Sequence, residues 1–205
     1  MLRNYLTIAF RSLRKQKIFS VVNITGLAVG LASCLIILLY VKDELSYDKF
    51  HTQASRIYRL VEERHLTALP RKFATAVSPL ASVIQKGFEN VKTVRVYRFE
   101  SRIKARPEDE ELLETDFYYV DSTFFDVFDF SMIKGDKYAC LQKPFSIVIS
   151  QNVAKQYFGD KNPIGKTLII NEKFEFTVCG IMENVPSNSH ITIDFLASFS
   201  TIEHE

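Results

Sequence analysis

Gly159 and Gly165, the second followed by Lys166 and Thr167, are the residues that most suggest phosphate chemistry. A glycine-rich loop of that kind cradles phosphates with backbone N–H groups and reaches them with a lysine. The spacing excludes it, because five residues separate the glycines where four are required. The order is also reversed: this segment follows a helix pattern and opens a strand pattern. A helix end and a turn are the expected role. His51, His65, His190 and His204 are scattered, with no pair at metal-ligand spacing, and read as surface or core histidines. Asp116, Asp121, Asp126 and Asp129 are interleaved with Phe117, Phe124, Phe125, Phe128 and Phe130. They could form an apolar binding surface with acidic guards. The favoured reading is a short helix capped by Asp121, whose rings build the core. No Ser-His-Asp or Cys-His set assembles. The expectation is no catalytic residue, no metal and no bound cofactor.

Three cysteines in 205 residues are too few for a disulfide-built scaffold. Cys140 and Cys179 would share an oxidising compartment if the residues after 41 lie outside the cytosol. A disulfide between them is conceivable; two partly buried, unpaired thiols are favoured. Net charge is +2, which argues against nucleic acid as a partner. The average hides an asymmetry. Arg3, Arg11, Arg14, Lys15 and Lys17 precede residue 18 with no acid among them, and residues 19–41 carry no charge. All 24 acids lie beyond residue 41.

Residues 19–41 are therefore expected to span a membrane. As a helix they would measure about 34 Å, against a bilayer core of about 30 Å. Their 13 Leu, Ile, Val and Phe favour insertion by roughly 4–8 kcal/mol. A signal peptide has a shorter apolar stretch. Leu31-Ala32-Ser33-Cys34 resembles a lipoprotein processing site, but seven more apolar or aromatic residues follow it. The cations set the N-terminus in the cytoplasm and residues 42–205 outside. Gly26 and Gly30 stand four apart, as do Ala28 and Ala32, a spacing that lets helices pack closely in lipid. Residues 1–18 form an amphipathic interfacial helix: Leu2, Tyr5, Leu6, Ala9, Phe10 and Leu13 lie on one arc, with Arg3, Arg11, Arg14 and Lys15 opposite. Its cations, Lys17 included, sit among lipid headgroups.

Residues 42–205 read as a mixed α and β domain, an α+β fold. Strands are expected at 56–61, 91–99, 112–120 and 145–149, with a hairpin of 167–170 and 174–181 about residues 171–173. Helices are expected at 78–88 and from the Ser150 cap through Phe158, ended by Gly159. Residues 100–111, charge-rich and holding Pro107, are expected to be an exposed loop.

Several blocks together resemble the FtsX-like, MacB-type permeases of ABC transporters. They are Ala9-Phe10-Arg11-Ser12-Leu13-Arg14-Lys15; Ile24-Thr25-Gly26-Leu27-Ala28-Val29-Gly30; and Asp43-Glu44-Leu45-Ser46-Tyr47-Asp48-Lys49-Phe50-His51 with Arg56-Ile57-Tyr58-Arg59. Further on come Val120-Asp121-Ser122-Thr123-Phe124-Phe125-Asp126-Val127-Phe128, then Ala154-Lys155-Gln156-Tyr157-Phe158-Gly159-Asp160 and Asn162-Pro163-Ile164-Gly165-Lys166. The resemblance implies a permease subunit with a MacB-like periplasmic core domain after its first membrane helix. It implies an inner-membrane location and a cytoplasmic ATPase partner that binds ATP in place of this chain. Other permease helices or a second permease copy would pack on Gly26 and Gly30. Family members have four membrane helices; this sequence stops at Glu205, so it is expected to represent the N-terminal portion. The rival expectation is a single-pass, membrane-anchored sensor or binding module without transport activity.

Overall fold

The computed structural model describes residues 2–64, 71–106, 109–110 and 112–203, with side chains described except at 2, 3, 6, 9 and 115. His65, Pro107 and His204, and the side chains of Leu2, Arg3, Leu6 and Ala9, lie outside the described residues. The chain divides into two units, Met1–Tyr47 and Asp48–Glu205.

The first unit is two helices. Helix α1 (Leu2–Lys15) ends on Arg14 and Lys15, which suits the negative end of its dipole. Gln16, at φ −111° and ψ 60°, breaks the path, and α2 (Lys17–Glu44) follows. Ser20 Oγ bridges the break by donating to the Leu13 carbonyl at 3.0 Å. Helix α2 is 28 residues long, contains the uncharged stretch and buries none of its residues. Its hydroxyls stay on the helix: Thr25 Oγ1 donates to the Val21 carbonyl at 2.7 Å and Ser33 Oγ to the Val29 carbonyl at 2.9 Å. Neither then carries an unmet hydrogen bond into an apolar setting.

The second unit is built on a seven-stranded sheet. Its strands are β3 (Val96–Lys104), β4 (Leu112–Val120), β5 (Met132–Lys134), β6 (Ser146–Ser150), β7 (Thr167–Ile170), β8 (Phe174–Met182) and β9 (Phe195–Ser198). The order is β5-β8-β6-β9-β4-β3-β7, and β7 also pairs with β8. The ladder therefore closes on itself through β3, β4, β9, β6, β8 and β7. Its seam is thin, since β3 meets β7 only at Ile103↔Ile170 and Lys104↔Ile169. A separate ribbon joins β1 (Glu62–Arg64) to β2 (Arg71–Phe73).

Alternation along the strands deals side chains to two cores. Ile103, Phe117, Ile147, Leu168, Phe176 and Phe195 come from the six ring strands and share one cluster. Phe117 and Phe195 stack there at 5.9 Å between ring centroids. Each buried ring of this size contributes about 1.5–3 kcal/mol, with about 0.5–1.5 more for a well-placed ring pair. The opposite parity, Tyr118, Val120, Val148 and Leu196, joins Phe124, Phe125 and Phe130 in the second cluster. Strands β6 and β9 are buried along their whole length, as strands covered on both faces must be.

The expected α+β fold is the observed one. Helix α5 (Gln151–Phe158) starts where Ser150 Oγ accepts from the Val153 N–H, and ends at Gly159, at φ 60°. The β7–β8 hairpin turns on Asn171 and Glu172, both at positive φ. Helix α3 (Leu80–Gly87) lies within the expected 78–88.

Four expectations are corrected. Residues 56–61 are no strand: a 3-10 turn, Ala54–Arg56, precedes an extended run, and pairing starts at Glu62. The weak alternation there serves no buried face, for Tyr58 is 83% exposed. Residues 91–95 are irregular, because the 121–123 turn takes their hydrogen bonds: Thr123 Oγ1 donates to the Thr93 carbonyl and the Arg95 N–H to Asp121. Residues 100–104 belong to β3, not to a loop, since Ser101 and Ile103 point inward between outward charges. Asp121 does not cap α4 (Phe124–Val127), whose N-cap is Thr123 without a side-chain bond. Its carboxylate instead grips Arg95, with Nη2 at 2.7 Å.

Candidate functional site

The acidic residues singled out in the sequence do not converge. Asp116 pairs with Arg98 at 2.9 Å, Asp126 with Lys92 at 3.1 Å, and Asp121 with Arg95. The Arg95 guanidinium lies 3.8 Å from the centre of the Phe199 ring and also reaches Glu203 at 2.8 Å. These are ties between segments, and the rings of Phe124, Phe125 and Phe130 are core. Gly159 and Gly165 are a helix end and a turn: the Gly165 N–H donates to the Val178 carbonyl, feeding β7 beside β8. Gly26, Ala28, Gly30 and Ala32 lie exposed on α2, and a Cβ added at either glycine meets nothing within 4 Å. Arg11, Arg14, Lys15 and Lys17 lie exposed at the end of α1 and the start of α2.

A second constellation that ties distant parts of the chain begins at Asp48, the first residue of the second unit. Asp48 sits at φ 56°, a conformation that aspartate tolerates better than most side chains. Its N–H donates to the Asn188 carbonyl at 2.9 Å. Its carboxylate accepts from the His190 N–H at 3.0 Å and lies 2.8 Å from His190 Nδ1. Three residues on, His51 turns inward, 6% exposed, among Phe50, Phe128 and Phe130. His51 Nδ1 accepts from the Asp129 N–H at 3.1 Å. Thr52 closes the clamp: its N–H and Oγ1 both donate to Asp129 Oδ2, at 2.6 and 2.8 Å.

The electrostatics follow the contacts. Burial drives the His51 ring below its ordinary value, against the pull of Asp48 and Asp129, and so favours the neutral form that can accept. The Thr52 donors hold the Asp129 carboxyl below the ordinary carboxylate range. At Asp48 partial burial pushes upward, but the His190 hydrogen bonds outweigh it and the carboxyl is lowered. A cavity of about 130 Å³ lies beside the clamp, lined by Asp48, His51, Ile57, Phe128 and Ile191. The segment that follows α2 is bonded at Asp48, His51 and Thr52 to loops 77 to 142 residues away in sequence. Sequence reasoning missed the clamp because no local pattern links residues so far apart. Its only trace was the block ending Asp48-Lys49-Phe50-His51.

Fold and clamp together define a mixed α and β domain carried behind a long apolar helix. The description "MacB-like periplasmic core domain" matches residues 20–204, nearly the whole chain. The chain belongs to this family. A crystal structure of a domain assigned to a permease protein from Porphyromonas gingivalis is similar, with 21% identity and a TM-score of 0.53. The match covers 68% of this chain and 63% of that one, so the chain spans less than two thirds of that relative's length. The periplasmic region of MacB from Actinobacillus actinomycetemcomitans matches at 20% identity over 61% of this chain and 56% of that one, with a TM-score of 0.48. The extracellular domain of the ABC-type transporter YknZ from Gram-positive bacteria matches at 18% identity over 58% and 61%, with a TM-score of 0.45. No curated protein matches.

Proposed function

We propose that this chain is the N-terminal part of a permease subunit of an FtsX/MacB-type ABC transporter. In this reading α2 spans the inner membrane, α1 lies on the cytoplasmic face with its cations among headgroups, and residues 42–205 are periplasmic. The chain carries no catalytic residue and holds no cofactor; a cytoplasmic ATPase subunit binds the ATP. Other permease helices, or a second permease copy, pack against α2. The clamp at Asp48, His51 and Thr52 fastens the start of the periplasmic domain to its own loops, and that domain serves export or mechanical signalling across the membrane.

The observation that carries this reading is the family match, which runs without a break from the apolar helix through the domain. Composition agrees, with all the acids on one side of the uncharged stretch and five cations, without an acid, on the other. The test is a pair of fusions after Glu205, one to a phosphatase that folds only outside the cytosol and one to a cytosolic fluorescent reporter. The expected outcome is an active phosphatase and a dark fluorophore. The opposite pattern overturns the topology. Recovery of an ABC ATPase with the detergent-extracted chain supports the permease over an anchored sensor, and its absence supports the sensor.

A further inference from the structure

Cys140 ends the turn that follows β5, and Cys179 lies on β8 where the β6–β8 register shifts between Ile147 and Val148. Val178 pairs with Ile147 and Gly180 with Val148, so Cys179 is the extra residue of a bulge and has no partner of its own in that ladder. Its thiol turns to carbonyls, 3.0 Å from that of Cys140 and 3.2 Å from that of Ile147. Cys140 Sγ in turn donates to the Cys179 carbonyl at 2.8 Å. Each thiol thus rests against the backbone of the other cysteine. Two glycines make this approach possible. A Cβ at Gly135 would stand 2.5 Å from the Cys179 carbonyl oxygen, and one at Gly135 or Gly180 would lie 3.1 Å from Cys140 Sγ.

We propose that Cys140 and Cys179 are a disulfide-forming pair that fastens the 135–141 strap to the bulge of β8. The oxidising surroundings rest on the periplasmic reading above; the juxtaposition does not. The oxidant is a disulfide, by thiol–disulfide exchange. The Cys140 thiolate attacks one sulfur of the donor disulfide, the donor S–S bond breaks, and one donor half leaves as a thiolate. Cys179 gives up its proton and attacks Cys140 Sγ, releasing the second half. One S–S bond forms, one is broken, and the two electrons end on the two released thiols. The hydrogen bond with Cys179 lowers the Cys140 thiol below its ordinary value, which suits it to attack first.

The full chain in detergent, reduced and then incubated with glutathione disulfide, is quenched with acid, unfolded and titrated with a maleimide. The expected result is one reactive thiol in place of three, with Cys140 and Cys179 joined in a single proteolytic fragment pair and a mass about two hydrogens lower. Cys140→Ser and Cys179→Ser each leave the surviving cysteine free or carrying glutathione, with no internal link. Three reactive thiols, or glutathione retained on both cysteines of the unsubstituted chain, overturn the proposal. The same titration on chain quenched directly from cells separates the two readings. Oxidation there supports both, while a bond that forms in the tube and is absent in cells keeps the pair and removes the periplasmic placement.

Discussion

His51 places a titration inside the clamp. Its ring must be neutral at Nδ1 to accept from the Asp129 N–H. In the folded chain burial lowers it from the ordinary 6.5, so the unfolded chain takes up the proton first. Stability from this source is fully present above about pH 6.5 and declines as pH falls below it, by at most about 1.4 kcal/mol per pH unit. The Asp48 and Asp129 carboxyls are lowered from 3.8 and titrate beneath that window. Denaturant midpoints at about pH 7.5 and about pH 5.5 should therefore differ, and His51→Gln, which keeps an acceptor, should shrink the difference. Equal slopes in both proteins would remove His51 from the account. The residues that could be read in the sequence were those whose partners are local. Ser150 caps the helix three residues ahead, and Gly159 closes it. Asp121 misled because a carboxylate three residues before a Phe-rich turn resembles a cap, whereas its donor is Arg95, 26 residues earlier.

The close approach of β5 to β8 depends on residues without side chains. Gly135 sits at φ 95°, and an added Cβ would be 2.5 Å from the Cys179 oxygen and 2.8 Å from the Gly180 Cα. Gly135→Ala should cost about 1–3 kcal/mol of stability by denaturant midpoint. Gly87→Ala is the matched control. It ends a helix, meets nothing within 4 Å and should be neutral or stabilise by up to about 1 kcal/mol. An equal loss at both positions would show that crowding is not the cause. Alternation along β8 made the β7–β8 hairpin legible, and the bounds of β4 were read at 112–120 as observed. Weaker signals failed for physical reasons. The charges of 100–104 concealed a strand because they all face one side, and the extended 57–61 run looked like a strand because nothing in a sequence says whether a pairing partner exists.

The closed ladder was not legible at all, since it requires β7 to find both β3 and β8, and closure depends on register between segments 65 to 67 residues apart. Position 103 pairs with 170 there. The long helix, by contrast, was evident from its lack of charge alone. If it packs in a bundle, Gly26→Leu with Gly30→Leu should reduce recovery of partner helices in detergent while leaving the chain's own fold intact, because both positions lie exposed on α2 and an added Cβ there meets nothing within 4 Å. Unchanged recovery would remove helix packing through these glycines.

The thin β3–β7 seam has a further consequence. The β3–β7 pairing stops at Ile103, and among the described residues no other strand runs along that edge of β3, where Tyr97 and Phe99 are half-exposed. An open sheet edge invites another molecule's backbone to add as one more strand. Here Arg98 and Glu100 line the rim, and the irregularity between Phe99 and Ser101 disturbs the even repeat that such an addition needs. A charged and irregular edge of this kind disfavours edge-to-edge pairing.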